Sequence, residues 1–422
     1  MFAVGVALFA LGILVSVSLH EAGHMGTAKA FGMKVTRYFV GFGPTLWSFR
    51  RGETEYGVKG IPLGGFVKIV GMTPQDDDVE PADQQRAMWR FPVWKRTVVM
   101  GAGSATHFLL GFALLWGVLS FAPLRDIDKL PTAAPTVAET ADCVSREWEF
   151  DPRTGGERAC VPGQDPASAA ATAGLVPGDT ITAIDGRPVT EWEELTELIR
   201  AAGGRTVTLT WLRAGQTHSA EVTLPLAERI RLDTDINTPL NEISEADLER
   251  VGVLGISPVI PRTVHGPVAA VGLAADQTRL MFEGTVTALR RFPERVPQLV
   301  AALAGEPRHP ETPMSVVGAS RIGGELYERG ELPTFLVLLA ALNFFVGIFN
   351  LLPLLPLDGG HIAIAWFEKA RSWLYARLGR ADPGRVDYYK MMPVTYVVIA
   401  IMGGFFLLTI AADIVNPIRL PL

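Results

Sequence analysis

The sequence predicts a polytopic α-helical membrane protein: four transmembrane helices with a sizeable folded part outside the bilayer. Three observations carry this. Four segments are almost uniformly apolar and long enough, at about 20 residues, to cross a bilayer. Apolar residues make up 48% of the 422, and charged residues only 19%, against about 25% in an ordinary soluble domain. Basic residues crowd the two shorter connections between the apolar segments. With a net charge of −6, nothing in the composition suggests nucleic-acid binding.

The first span covers residues 1–25, and Phe2 to Leu19 carry no charge. It lacks a basic leader and a small-x-small cleavage site, so it reads as a retained span, not a signal peptide. It ends on His20-Glu21-Ala22-Gly23-His24. On a helix, residues i and i+4 share one face, so two imidazoles at this spacing can hold one zinc ion. The glutamate between them is a candidate general base.

Residues 26–96 form the first connection. Aromatic and β-branched residues from Tyr38 to Phe49 and from Glu55 to Ile69 flank a polar turn at Arg51-Gly52-Glu53, which predicts a β-hairpin. It reads either as an edge that pairs with an extended substrate or as a flap under the site. Asp76-Asp77-Asp78 reads as a solvated loop. The second span is 97–121, the third 333–360 and the fourth 393–414, with 361–392 connecting the last two.

Orientation follows from the basic residues. Lys29, Lys34, Arg37, Arg50, Arg51, Lys59, Lys68, Arg86, Arg90, Lys95 and Arg96 lie in the first connection, and Lys369, Arg371, Arg377, Arg380, Arg385 and Lys390 in the third. Four spans put both on one side, which is then cytoplasmic, and place residues 122–332 and both termini outside. In that oxidising setting Cys143 and Cys160 suit a disulfide closing the loop between them. Residues 265–303 read as an amphipathic segment along the membrane surface.

Within the external part, residues 165–226 alternate strand signals with one helix. Gly174-Leu175-Val176-Pro177-Gly178-Asp179 followed by Ile184-Asp185-Gly186 resembles a bacterial PDZ domain, an α+β module that takes peptides by strand addition. Its role reads either as peptide capture or as a steric screen.

A catalytic zinc commonly has three protein ligands and one open position. Span three supplies a candidate in Asp358, an ionisable residue at the end of an apolar run, preceded by Pro353 and Pro356 and followed by Gly359 and Gly360. His-Glu-x-x-His in span one, with Asn350-Leu351-Leu352-Pro353 and Leu357-Asp358-Gly359-Gly360 in span three, resembles the site-2 protease family of intramembrane zinc metalloproteases. Gly41-Phe42-Gly43, Pro62-Leu63-Gly64-Gly65-Phe66 and one PDZ-like copy are similar to the bacterial, actinobacterial-like type that regulates sigma factors. The resemblance implies His20, His24 and Asp358 as zinc ligands, Glu21 as general base, and Asn350 and Pro353 as substrate-holding residues. It also implies a single-span membrane protein as substrate, an anti-sigma factor already trimmed by a site-1-type protease.

One stretch departs from the family pattern. Span two of the family reads Ala-Gly-Pro-x-x-Asn, and here Ala102-Gly103-Ser104-Ala105-Thr106-His107 replaces the proline and the asparagine. His107 reads as a group near zinc or as a histidine satisfied by a backbone carbonyl, the second being preferred. His361 reads as a neighbour of the ligands or as a capping or surface residue. His218, His265 and His309 read as bland. An inactive membrane-anchored scaffold would have no need of all four chemical residues. A zinc transporter would need ionisable groups distributed along its spans.

Overall fold

The computed structural model describes residues 1–72, 79–151, 156–234, 238, 240–306, 308 and 312–418. Asp76, Asp77, Asp78 and His309 lie outside the described residues. The chain divides into two compact units, one built from Met1–Phe121, His265–Glu306 and Thr312–Ile418, the other mainly from Ala122–Val264.

In the first unit, α1 (Phe2–Ala30) runs nearly two turns past the histidine motif, and α2 (Val93–Phe121) begins a turn before the expected span. Both are long and apolar enough to cross a bilayer, as are α7 (Leu332–Asn350) and α9 (Tyr388–Val415), which makes four spanning candidates among the described residues. Between them, α3 (Ala169–Ala173) and α4 (Trp192–Ala201) belong to the second unit. The amphipathic segment is α5 (Ala269–Leu303), followed by α6 (Val316–Glu328), an element the apolar pattern did not announce. Finally α8 (Asp358–Arg377) occupies much of what reads in sequence as the connection 361–392.

Span three differs most from the sequence reading. The helix stops at Asn350, residues 351–357 form turns, and Asp358 opens a separate helix. Pro353 and Pro356 explain the break, since each lacks an N–H and each disfavours helix at the residue before it. Gly359 and Gly360 let the turn fold back over the start of α8. A Cβ on Gly359 would stand 2.2 Å from the Leu351 carbonyl oxygen, and one on Gly360 would stand 2.7 Å from the Leu354 carbonyl carbon.

The expected hairpin is more elaborate than a two-arm ribbon. Its arms β1 (Val35–Arg51) and β2 (Thr54–Ile69) are each bent, so that Arg37 pairs with both Glu55 and Lys68, and Val40 with both Val58 and Gly65. Thr45 to Arg51 pair in turn with Lys59 to Thr54. The result is four strands in the order 65–69, 35–40, 54–58, 45–51. Gly57 makes it feasible, because a Cβ there would lie 2.5 Å from Phe39 Cε1 and 2.6 Å from the Trp47 oxygen. The sheet is tied to α1 by Tyr38 Oη donating to the Ser18 carbonyl at 2.7 Å and by Lys29 Nζ donating to Tyr56 Oη at 2.7 Å.

Small residues let the helices close up. A Cβ on Gly5 would lie 2.9 Å from Gly324 Cα, and one on Gly323 would strike the ring of Phe9, which is fully buried. Without a hydrophobic gain between helices in lipid, such close backbone approach is what holds a bundle together. Asp413, buried near the end of α9, accepts from Ser315 N and Oγ at 2.6 Å each and so fixes Ser315, whose Oγ caps α6 by accepting from Val317 N.

The second unit contains a four-stranded sheet with Gln216–Thr223, Thr206–Arg213, Thr180–Ile184 and Arg187–Pro188 in that order, packed against α4 around Ile181, Leu195, Leu209 and Trp211. Cys143 and Cys160 are disulfide-bonded. Asp179 is buried and takes two hydrogen bonds from the Arg213 guanidinium, at 2.7 Å each. Those bonds hold its carboxyl below the usual carboxylate range. A carboxyl depressed on folding stabilises the unit above its unfolded value of 3.8, and that contribution is lost as pH falls through the lower folded value. The urea midpoint of this unit is therefore expected to drop as pH falls from about 5 through that lower folded value. The drop should be smaller in Asp179→Asn; an equal drop would assign it to other carboxyls.

Candidate active site

Two distant parts of the chain converge. His20 and His24, one turn apart on α1, are both buried, and Asp358 heads α8. His20 Nε2 and His24 Nε2 each lie 3.3 Å from Asp358 Oδ2 and 3.0 Å from one another. Among the described residues this is the cluster of three such side chains able to share a metal ion.

The donors fit zinc. Zn–N bonds of about 2.0–2.1 Å and Zn–O bonds of about 2.0–2.2 Å at tetrahedral angles set ligand atoms about 3.3 Å apart. The protonation of His24 agrees. Its Nδ1 donates to the Val99 carbonyl at 2.7 Å, so its Nε2 turns a lone pair toward His20 Nε2 and Asp358. Lone pairs and a carboxylate this close repel one another unless a cation sits between them.

Each element is held in place by its own sequence. Gly23 lets α1 cross α2 closely, since a Cβ there would lie 2.7 Å from the Ala102 oxygen. Gly103 sits under both imidazoles: a Cβ on it would stand 2.4 Å from His24 Nε2 and 2.5 Å from His20 Cε1. On the other side, α8 is fastened to α2 by a buried Arg96–Glu368 pair at 3.2 Å and by Trp366 Nε1 donating to Thr97 Oγ1 at 3.0 Å. Glu368 also accepts from Val386 N at 2.9 Å, so neither charge is left uncompensated.

Glu21 lies beside the outer strand of the sheet, where a Cβ on Gly65 would be 3.5 Å from Glu21 Cγ. Asn350 is half-buried at the end of α7, and Pro353 is exposed in the turn that leads to Asp358. His107 lies close to this cluster, its ring centre 5.0 Å from that of His20. Its Nδ1 is bonded at 2.8 Å to Asn343 Oδ1, a side chain and not the backbone carbonyl preferred from sequence. His361 turns away: it stacks on Tyr388, ring centres 5.9 Å apart, and with that ring, Arg96 and Met100 lines a small separate cavity. It is neither a cap nor a surface residue.

Sequence reasoning passed over Gly103 and Asn343. Asn343 carried a signal, being a polar side chain inside an apolar run. Gly103 carried a signal as well, matching the glycine of the family's Ala-Gly-Pro-x-x-Asn pattern. If Asp358 is a ligand, Asp358→Ala should cut the zinc retained by purified protein to well below one ion per chain; full retention would remove Asp358 from the ligand set.

A family model described as peptidase family M50 matches residues 8–380. The zinc metalloprotease Rip1 of Mycolicibacterium smegmatis is 41% identical over 430 aligned positions, covering 100% of this chain and 99% of the relative. The protein of the same name from Mycobacterium tuberculosis is 40% identical over 431 positions with the same coverage. The regulator of sigma-E protease RseP of Escherichia coli is 27% identical over 441 positions, covering 86% of this chain and 90% of the relative.

Proposed function

This chain belongs to peptidase family M50, the site-2 type of zinc metalloprotease, and we propose from that premise that it cuts peptide bonds inside the transmembrane segments of single-span proteins. The observation that carries the proposal is the meeting of His20, His24 and Asp358, with Glu21 alongside, at the end of an apolar helix. Zinc held by these three residues would polarise a peptide carbonyl and acidify water. Glu21 takes the proton released from water and hands it to the leaving amine.

The remaining residues prepare the substrate. A helix hides its carbonyls in its own hydrogen bonds, so a substrate span must first unwind. Strand 65–69 is an outer strand of the sheet and borders Glu21, so a substrate added as a further strand along it would pass the ligands extended. Asn350 and Pro353 would hold the other side of that strand. The basic connections put this site on the cytoplasmic side and the second unit outside. That unit, with its PDZ-like sequence, acts as a screen that admits proteins already trimmed by another protease. An anti-sigma factor fits this description, and the name of the Escherichia coli relative supports the choice.

The test is cleavage in proteoliposomes with a single-span reporter. A reporter with a short external stub should be cut within its span, cutting should stop with a zinc chelator and return with added zinc, and a bulky external domain should suppress it. Chelator-resistant cutting, or cutting only outside the span, would overturn the proposal.

A further inference from the structure

We infer that His107 is a positioning residue for the zinc centre: its Nε2 accepts the Nδ1 hydrogen of His20 and so fixes the tautomer and orientation of that ligand. The inference rests on the metalloprotease reading above and assigns a role to a residue at which this chain departs from the family pattern.

The argument begins at Asn343. Its Nδ2 donates to the Leu339 carbonyl at 2.8 Å. Its Oδ1 is therefore an acceptor, and the group 2.8 Å away, His107 Nδ1, must carry the hydrogen. A neutral imidazole protonated at Nδ1 has a lone pair at Nε2. His107 is 2% exposed, and its Nε2 has no hydrogen-bond partner within the protein. The same is true of His20 Nδ1. If His20 presents Nε2 to the metal, its Nδ1 bears the hydrogen. The two orphaned atoms are thus a donor and an acceptor of matching kind.

Distance agrees. An N–H···N contact of about 2.9 Å between two imidazoles whose nitrogens face one another places the ring centres about 5 Å apart. The rings of His20 and His107 are 5.0 Å apart, inclined at 41°. A modest ring rotation completes the bond. Leaving both atoms unpaired in a buried site would cost the full desolvation of each.

The topology gives the arrangement its logic. The chain presents two ligands on one face of α1, and α2 supplies a group behind each. The Val99 carbonyl takes the Nδ1 hydrogen of His24, and His107, two turns further along α2, is placed to take that of His20. Gly103 lies between them and leaves room for both rings. Metal-bound histidines generally donate their other nitrogen in this way, and removing the acceptor typically lowers metal affinity about 10- to 100-fold.

The test uses the full chain in detergent and reads zinc affinity by chelator competition, with kcat and KM measured at saturating zinc. His107→Phe keeps an aromatic ring but cannot accept, and should weaken zinc binding about 10- to 100-fold. His107→Gln offers an acceptor oxygen and should recover most of the loss. Asn343→Leu frees the tautomer of His107 and should lower affinity in the same direction by less. Thermal unfolding of the metal-free proteins should be alike for the Phe and Gln variants. Wild-type affinity in His107→Phe, equal losses in the Phe and Gln variants, or a metal-free Phe variant that unfolds far below the Gln variant would each overturn the inference. The last would make His107 a packing residue. If the wild-type chain takes up no zinc, the metalloprotease reading itself falls.

Discussion

Replacing Glu21 by glutamine is expected to reduce cleavage of a single-span substrate by about 10²- to 10⁴-fold while leaving zinc content unchanged, the range lost when a general base is removed from a metal-assisted hydrolysis. The separation of the two readouts follows from geometry. The side chains placed to share a metal ion are those of His20, His24 and Asp358, and Glu21 is not among them. Glutamine matches glutamate in size, so the contact with strand 65–69 at Gly65 survives. What disappears is a carboxylate able to hold a proton between water and the leaving amine. Zinc content measured on purified protein and single-turnover cleavage in the same preparation decide the matter. A variant that retains a tenth or more of wild-type activity would mean that Glu21 is not the base. A variant that loses zinc as well would assign Glu21 to metal binding. The contrast with Asp358→Ala, where zinc goes first, makes the pair of substitutions informative together.

What could be read from sequence was whatever periodicity and charge enforce. An apolar run such as Val4 to Val15 has one physical outcome in a bilayer, because its backbone groups must pair within the helix. His20 and His24 share a face by helix geometry alone, and Asp358 announces itself as a charge at the end of an apolar stretch. The second partner of Arg37 in the sheet could not be read this way. It depends on bends at Gly41, Gly43 and Gly64, whose positive φ angles of 88°, 82° and 104° leave no mark in a strand pattern. The bond between His107 and Asn343 joins residues 236 apart on two apolar helices, and neither helix indicates which of its faces meets the other. Distances below one side chain in size, such as those around Gly103, are set by the crossing of helices and have no counterpart in a one-dimensional pattern.

The glycine at 103 leads to the other large expected effect. Gly103→Ala should abolish both zinc retention and cleavage, whereas Gly101→Ala, two residues earlier on the same helix, should be tolerated. The added atom at 103 would stand 2.4 Å from His24 Nε2 and 2.7 Å from His20 Nδ1, while at 101 nothing lies within 4 Å. To reach ordinary contact at 103, α2 or the imidazoles must move by about 1 Å, against a metal-site tolerance of about 0.2 Å in ligand distance. A displacement of that size alone costs about 10²-fold in rate. Moving α2 instead is resisted at Gly23, where the α1 backbone already lies against Ala102, and at α8, which the Arg96–Glu368 pair fastens to α2. The strain therefore falls on the two imidazoles, whose Nδ1 atoms both face α2. At 101 the methyl group replaces a flexible glycine in a helix, a change worth up to about 1 kcal/mol in favour of the fold. Zinc content and cleavage, compared between the two alanine variants, test whether α2 is a wall of the metal centre. Equal behaviour at 101 and 103 would show that it is not.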